Sequence, residues 1–219
     1  MIVSNVTTKA LIFDLDGTII DSSEGIINSA IDTIEILGLR PLSREFIKGC
    51  IGPPIGQSIG QKLGFTTELI NSFNDVFREI YKNNHLFECV IYDGIIELLE
   101  RVKIEGYLVG IATNKREDYT KILLERLGID HYFDVVCAMD MMGVSTKEQI
   151  VNNCISKLGV KNDEILMVGD TVNDMDAATK CHINFVGVAY GFGFKIGDTL
   201  FDCDILPTIN DLNEYIHHS

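Results

Sequence analysis

The sequence predicts an α/β protein in which helices cover both faces of a parallel β-sheet, with an all-helical domain inserted after the first strand. Two patterns predict this fold. Short continuous apolar runs alternate with segments of helical period, which is typical of strands buried on both faces. A long stretch after the first run has helical periodicity and no convincing strand. Apolar residues make up 46% of the 219 residues, which is enough for a packed core.

Five apolar runs are the predicted strands of the sheet. They lie at residues 10–13, 107–112, 135–138, 165–168 and 183–188. Between them, apolar residues recur at helical spacing, as Leu98, Leu99 and Val102 do. Strands that alternate with amphipathic helices form a doubly wound, Rossmann-like sheet. The acid Asp93, just before one of these helices, is expected to cap it.

Residues 20–91 break the alternation and predict the inserted helical domain. One apolar stripe contains Ile27, Ala30 and Ile34, and a second contains Phe73 and Phe77. Residues 49–56 are dense in glycine and proline and must be irregular. We therefore expect a discontinuous core of residues 1–19 and 92–219 and a helical cap domain of residues 20–91. The cap is expected to close over the core about hinges at 19–22 and 87–92.

Charge and composition exclude several classes of protein. The formal net charge of −14 opposes binding to a nucleic acid polymer. The sequence contains no apolar run of about 18 residues, so no membrane-spanning helix is predicted. Six cysteines lie far apart without a C-x-x-C pair, so neither a zinc ribbon nor a thioredoxin-like redox site is predicted. The N-terminal residues lack an apolar signal core, so no secretory signal is predicted. We expect a cytoplasmic monomer or homodimer that acts on a small molecule.

The polar residues that follow the predicted strands are the candidate site. In an open parallel sheet, ligands bind beyond the carboxyl ends of the strands. Each motif alone also fits a turn or a helix cap, but their order and shared position favour one site. The residues concerned are Asp14, Asp16, Gly17, Thr18, Thr113, Asn114, Lys115, Lys147, Asp170 and Asp174.

The chemistry of this set indicates transfer of a phosphoryl group. Four carboxylates in one place repel one another unless a proton or a hard cation compensates them, and Mg²⁺ prefers oxygen ligands. One ionised aspartate can attack phosphorus, and a second can carry the proton for the leaving oxygen. Thr18 and Thr113 can donate hydrogen bonds to phosphate oxygens, and Lys147 supplies a fixed positive charge.

These residues resemble the four sequence motifs of the haloacid dehalogenase-like hydrolases. The matching segments are Asp14-Leu15-Asp16-Gly17-Thr18, Thr113-Asn114-Lys115, Lys147, and Gly169-Asp170 with Asp174. The resemblance extends over nearly the whole chain, and the insertion after the first motif is similar to the helical cap of one branch of the family. Arg116 and Glu148 stand where the family commonly has proline.

The resemblance implies catalytic and metal-binding roles for the aspartates. Asp14 is expected to be the nucleophile and Asp16 the general acid and base. Mg²⁺ is expected to bind the Asp14 carboxylate, the Asp16 backbone carbonyl and Asp170, with Asp174 acting directly or through water.

The resemblance also implies which residues bind the substrate. Thr113, the Asn114 backbone and Lys147 are expected to hold the phosphate, together with Thr18. The implied activity is hydrolysis of a small phosphomonoester by a Mg²⁺-dependent phosphatase. The segments 187–191 and 51–54 are similar to the phosphoglycolate phosphatase and 5′-nucleotidase branch.

Other functions remain as alternatives. A 5′-nucleotidase or a pyrophosphatase fits the same motifs. A phosphosugar mutase fits less well, because Gly52 and Ile26 stand where the mutases carry an arginine and a histidine. A metal-independent dehalogenase would not need Asp16 and Asp170. A receiver domain of a signalling protein is about half this length, and a binding module on the same fold would not need every catalytic residue type.

Overall fold

The computed structural model describes residues 7–198 and 203–218, which form two compact units. The first unit contains the described residues up to Ile20 and those from Ile91 onward, and the second is Asp21–Val90. The first unit is built on a β-sheet, and the second is built of helices.

Strands in the described residues belong to two sheets. Their bounds are β1 Ala10–Phe13, β2 Ile20–Asp21, β3 Val90–Ile91, β4 Leu108–Arg116, β5 Val135–Met139, β6 Ile165–Gly169, β7 Asn184–Val188 and β8 Ile205–Leu206. The two short strands β2 and β3 pair with each other where the chain passes between the units. The sequence did not predict either of them.

Helices make up most of the remaining described chain. The α-helices are α1 Ser23–Ile36, α2 Arg44–Lys48, α3 Ile55–Leu63, α4 Thr67–Ile80, α5 Ile95–Ile104, α6 Glu117–Leu127, α7 Lys147–Leu158, α8 Val172–Lys180 and α9 Ile209–His218. A π-helix, Tyr81–His85, follows α4 directly. The cap predicted for Asp93 is wrong, because Gly94, at φ 91°, precedes α5 and no side chain caps this helix.

The large sheet has six strands in the order β5-β4-β1-β6-β7-β8, and every neighbouring pair is parallel. The predicted α/β class is therefore confirmed. The chain runs outward from β1 to β4 and β5, and then returns to the other side of β1 with β6. This reversal of strand order places the carboxyl ends of β4, β1 and β6 side by side, where open sheets bind ligands.

The strand β4 is longer than its apolar run predicted. Thr113 pairs with Ala138 of β5, but the next paired residue of β4 is Arg116, which lies opposite Met139. Two residues of β4 therefore bulge out of the ladder between these pairs. A bulge re-aims side chains at the end of a strand, and here it carries Asn114 and Lys115.

One face of the sheet packs closely against α7 and α8. The buried cluster includes Ile12, Cys137, Val151 and Met167. A Cβ on Gly110 of β4 would lie only 2.7 Å from the sulfur of Cys154 on α7. The glycine thus lets α7 approach the sheet, and α7 begins at Lys147, one of the candidate site residues.

The helical unit has its own core and a polar network. Its buried cluster includes Ile27, Ile34, Ile59 and Phe73. At the end of the π-helix, His85 is bonded through Nδ1 to Glu88 Oε1 at 2.8 Å and through Nε2 to Asp32 Oδ2 of α1 at 2.9 Å. The imidazole of His85 therefore joins the returning chain to the first helix of this unit.

Candidate active site

The candidate site lies at the carboxyl ends of three neighbouring strands, β4, β1 and β6. Asp14 directly follows β1, and its N–H donates to the carbonyl of Val168 in β6 at 2.9 Å. Thr113 lies near the end of β4, and Asp170 directly follows β6. The first strand of the chain therefore holds Asp14 between segments from much later in the sequence.

Lys147 joins two of the predicted aspartates. Its Nζ lies 2.6 Å from Asp14 Oδ1 and 2.7 Å from Asp174 Oδ1, and the lysine is only 5% exposed. Thr146 caps the N-terminus of α7 in a capping box with Gln149, which fixes the start of the helix at Lys147. The structure thus brings Asp14, Lys147 and Asp174 into one buried ion cluster.

Burial and mutual repulsion control the protonation of this cluster. Burial raises the pKa of Asp14 to about 7, opposed by the charge of Lys147 and reinforced by Asp174 and Asp16. Burial alone would lower the pKa of Lys147, but the charges of Asp14 and Asp174 outweigh it and raise the pKa above its ordinary value. The lysine therefore stays charged, and further positive charge beside Asp14 would favour its ionised form.

Asp170 is fully buried and offers one uncommitted oxygen. Its Oδ2 accepts a hydrogen bond from the N–H of Phe192 at 2.7 Å, whereas its Oδ1 has no partner among the described residues. Burial, followed by the charges of Asp174 and Asp14, holds the pKa of Asp170 well above its ordinary value. A buried carboxylate oxygen without a partner is costly unless a cation or a proton binds it.

These oxygens fit a divalent cation. One carboxylate oxygen from each of Asp14, Asp170 and Asp174 lies within 4.8 Å of the others. Gly17, at φ 87°, passes so close to Asp170 that a Cβ would lie 2.2 Å from its Oδ2. Hard oxygen donors in a buried cluster are the ligands that Mg²⁺ prefers, so the residues present suit the expected metal.

Asp16 has a different environment from the other aspartates. Its Oδ1 and Oδ2 lie 2.8 and 3.1 Å from the Nζ of Lys115, whose side chain is almost fully buried. The side chain of Asp16 is not part of the three-carboxylate group, and the metal-binding role predicted for Asp16 involves its backbone carbonyl. When all four carboxylates are ionised, the two lysines leave two negative charges at the site, which one divalent cation would neutralise.

The predicted phosphate-binding residues lie in the same loops. Thr18 is fully buried, and its hydroxyl has no partner among the described residues. The Oγ1 of Thr113 accepts a hydrogen bond from the N–H of Lys115 at 3.1 Å. Asn114 is half-buried in the bulge of β4. Their contacts with phosphate stay predictions.

Two groups at this site were not predicted from the sequence. One is the side chain of Lys115, which stands within the second motif and bonds Asp16. The other is the backbone N–H of Phe192, which bonds Asp170. The position of Lys115 in the motif is a sequence signal, but the direction of its side chain depends on the bulge in β4. The N–H of Phe192 has no sequence signal, because every residue except proline has a backbone N–H.

Comparison with known proteins identifies the family. Residues 11–188 match the model of the haloacid dehalogenase-like hydrolases. The match includes the loops of Asp14, Thr113, Lys147 and Asp170. The chain therefore belongs to the haloacid dehalogenase-like hydrolase family, and the predicted enzyme class, a hydrolase of phosphate esters, is confirmed.

Relatives with different named activities share this similarity. A 5′-nucleotidase of Pseudomonas aeruginosa is 30% identical over 84% of this chain and 83% of its own length. The pyrophosphatase PpaX of Bacillus cereus is 31% identical over 94% of this chain and 98% of its own. A phosphoglycolate phosphatase of Agrobacterium fabrum is 31% identical over 83% of this chain and 80% of its own.

A solved structure shows the same fold. The crystal structure of a predicted phosphatase from Clostridium acetobutylicum superposes with a TM-score of 0.90 and 29% identity, covering 97% of this chain and all of that one. In the described residues of this chain, no helix is both long and apolar enough to cross a membrane.

Proposed function

We propose that this enzyme is a Mg²⁺-dependent phosphatase that hydrolyses a small-molecule phosphomonoester through an aspartyl-phosphate on Asp14. One observation carries the proposal: a buried lysine bonds Asp14 in a cluster where one oxygen each of Asp14, Asp170 and Asp174 lie within 4.8 Å of one another, and Oδ1 of Asp170 is buried without a partner among the described residues. With its four carboxylates ionised, the site is short of two positive charges, which a divalent cation would supply. Asp14, Asp170 and Asp174, with the backbone carbonyl of Asp16, would hold that cation.

Asp14 is assigned the attack on phosphorus. Its carboxylate oxygen forms a bond to phosphorus while the bond between phosphorus and the ester oxygen breaks. Mg²⁺, when bound, would neutralise charge on the phosphate so that a carboxylate can approach it. Lys147, 2.6 Å from Asp14, holds the carboxylate in place and supplies positive charge beside the transferred group.

Asp16 is assigned the transfer of protons. It donates a proton to the departing ester oxygen and then accepts one from the water that attacks phosphorus. That attack breaks the bond between phosphorus and Asp14 and releases inorganic phosphate. Lys115, bonded to both oxygens of Asp16, orients this carboxylate.

The phosphate is assigned to the loops around these acids. The hydroxyls of Thr18 and Thr113 and the backbone of Asn114 supply donors, with Lys147 as the cation. The unpartnered hydroxyl of Thr18 supports this assignment, since a buried hydroxyl favours a partner. The helical unit Asp21–Val90 is proposed to act as the cap that selects the rest of the substrate.

Phosphoglycolate is the first candidate substrate, and nucleoside monophosphates and pyrophosphate are the second. The named relatives carry all three activities at similar identity. The formal charge of −14 favours a small substrate over a nucleic acid polymer. A phosphosugar mutase or a metal-independent dehalogenase has no supporting observation in this site.

The test is phosphate release from a panel of metabolite phosphates, with Mg²⁺ and with a chelator. We expect turnover of small phosphomonoesters with Mg²⁺ and its loss with the chelator. Asp14→Asn removes the nucleophile and should abolish turnover while preserving the fold. Asp163→Asn, an exposed aspartate beyond the site, is the matched control and should keep wild-type turnover. Near wild-type turnover in Asp14→Asn, or activity unchanged by the chelator, would refute the proposal.

A further inference from the structure

A segment of glycines and aromatic residues after β7 passes beside the acidic cluster. We call residues 190–194, with the sequence Tyr-Gly-Phe-Gly-Phe, the aromatic strap. It carries no acid, base or nucleophile that the proposed mechanism uses. Its contacts are nevertheless concentrated on Asp170 and on the loop that follows β1.

The backbone of the strap binds Asp170 at two points. The N–H of Phe192 donates to Asp170 Oδ2 at 2.7 Å, and the N–H of Phe194 donates to the carbonyl of Asp170 at 2.9 Å. Side chain and main chain of the aspartate are therefore both held. The oxygen that remains without a partner among the described residues is Oδ1.

The two glycines of the strap lie where there is no room for a side chain. A Cβ on Gly191 would lie 2.3 Å from the carbonyl oxygen of Gly17 and 2.4 Å from the Cβ of Asp170. A Cβ on Gly193 would lie 2.5 Å from the carbonyl oxygen of Asp170. Neither glycine has φ in the left-handed region. Alanine would fit the backbone conformation at both positions but would displace the strap from Asp170.

Side chains anchor the two ends of the strap. The hydroxyl of Tyr190 donates to the carbonyl of Thr18 at 3.1 Å, and its ring packs edge-on against Tyr92 with 5.0 Å between centroids. Phe194 is almost fully buried and packs against Phe185 of β7. The strap is therefore fixed to both the loop of the nucleophile and the sheet.

We propose that the aromatic strap is a positioning element for the cation: by binding Oδ2 of Asp170, it orients the carboxylate so that Oδ1 faces the metal. This inference rests on the proposed function, since it assumes that the acidic cluster binds a divalent cation. Groups that orient a metal ligand commonly affect metal affinity about 10–100-fold. The strap should thus control Mg²⁺ affinity without taking part in the chemical steps.

The test measures Mg²⁺ binding to the substrate-free enzyme by isothermal titration calorimetry. In Gly193→Ala, we expect the Kd for Mg²⁺ to rise about 10–100-fold. The Mg²⁺ concentration for half-maximal activity should rise with it, while kcat at saturating Mg²⁺ stays near the wild-type value. A purely structural role would lower the melting temperature or kcat and leave the Kd for Mg²⁺ unchanged.

A milder variant covers the case in which Gly193→Ala does not fold. Tyr190→Phe removes one anchor of the strap and should raise the Kd for Mg²⁺ by a few-fold. Tyr107→Phe is its matched control, because the hydroxyl of Tyr107 also bonds a backbone carbonyl, that of Ile216 in α9, far along the chain from the site. Its Mg²⁺ affinity should not change.

The outcomes separate the two proposals. An unchanged Kd for Mg²⁺ in folded Gly193→Ala, or in Tyr190→Phe if the first variant is unfolded, overturns the role of the strap. A wild-type enzyme that binds Mg²⁺ but releases no phosphate refutes the proposed function and leaves the binding test of the strap valid. A raised Kd in the strap variants, with Tyr107→Phe unchanged, supports the inference.

Discussion

Replacement of Lys147 by methionine tests whether the buried ion cluster supports both the fold and the chemistry. Methionine keeps most of the aliphatic stem of the lysine and removes its charge. The change leaves Asp14 and Asp174 without the ammonium group that lies 2.6 and 2.7 Å from them. Two buried carboxylates would then face Asp170 without the lysine that pairs with them.

The expected cost follows from burial. Removing one partner of a buried ion pair costs about 3–5 kcal/mol, because the remaining charge stays out of water. We therefore expect Lys147→Met to lower the free energy of unfolding by about this amount in a chelator at pH 8. Added Mg²⁺ should reduce the loss, because the cation replaces part of the missing charge. Turnover should fall by about 10²–10³-fold.

The assay is urea denaturation followed by circular dichroism, with a chelator and with saturating Mg²⁺. Lys9→Met is the matched control, since Lys9 forms an ion pair of the same length, 2.7 Å to Glu164, but its side chain is 59% exposed. An exposed pair contributes about 0–1 kcal/mol. If both variants unfold at the same urea concentration, the contacts of Lys147 do not act as buried ion pairs and the reasoning is wrong.

Three further substitutions test other parts of the structure. Asp16→Asn cannot exchange a proton and should slow formation and hydrolysis of the phosphoenzyme by about 10²–10⁴-fold, measured by rapid quench. Burial lowers the pKa of His85, but its bonds to Asp32 and Glu88 outweigh burial and raise the pKa. The stability that these bonds contribute is present below pH about 6.5 and is lost as pH rises through the raised pKa. The melting temperature of His85→Gln should therefore lie below that of the wild type at about pH 6 and approach it at higher pH. Gly110→Ala, whose Cβ would lie 2.7 Å from a buried sulfur, should cost about 1–3 kcal/mol in urea denaturation.

For each of these substitutions, one result would contradict the prediction. Unchanged phosphoenzyme kinetics would remove Asp16 from its role. A melting difference for His85→Gln that grows with pH would reverse the assigned direction of the pKa shift. Gly49→Ala controls for Gly110→Ala, because the new Cβ at Gly49 would have no neighbour closer than 3.5 Å. Equal stability of the two alanine variants would show that α7 does not need the close approach.

The sequence predicted the sheet well where apolar runs end at polar residues. The bounds of β1 and the starts of β5 and β6 agree with the apolar runs. The irregular segment between α2 and α3 also follows from its glycines and prolines, since α2 ends at Lys48 and α3 begins at Ile55. In these places local composition decides local structure.

Other features depend on tertiary pairing and could not be predicted. The bulge that continues β4 to Arg116 exists only because β5 pairs beyond it. The short strands β2 and β3 form only with each other. The contact of Lys115 with Asp16 and the aromatic strap on Asp170 both join positions remote in sequence. The residue types of the site could be predicted from the sequence. The groups that bind and orient these residues could not.

The first strand in the described part of the chain, β1, is one of the two middle strands of the six-stranded sheet, and this order affects how the protein folds. Ala10 pairs with Leu108 on one side and with Ile165 on the other. During synthesis, β1 has no neighbour until long segments have followed it, and such non-local pairing slows folding. A chain that stops before β6 lacks Asp170 and so cannot assemble the acidic cluster. Affinity for the cation should therefore emerge only in the last stage of biosynthesis, when it also begins to stabilise the completed sheet.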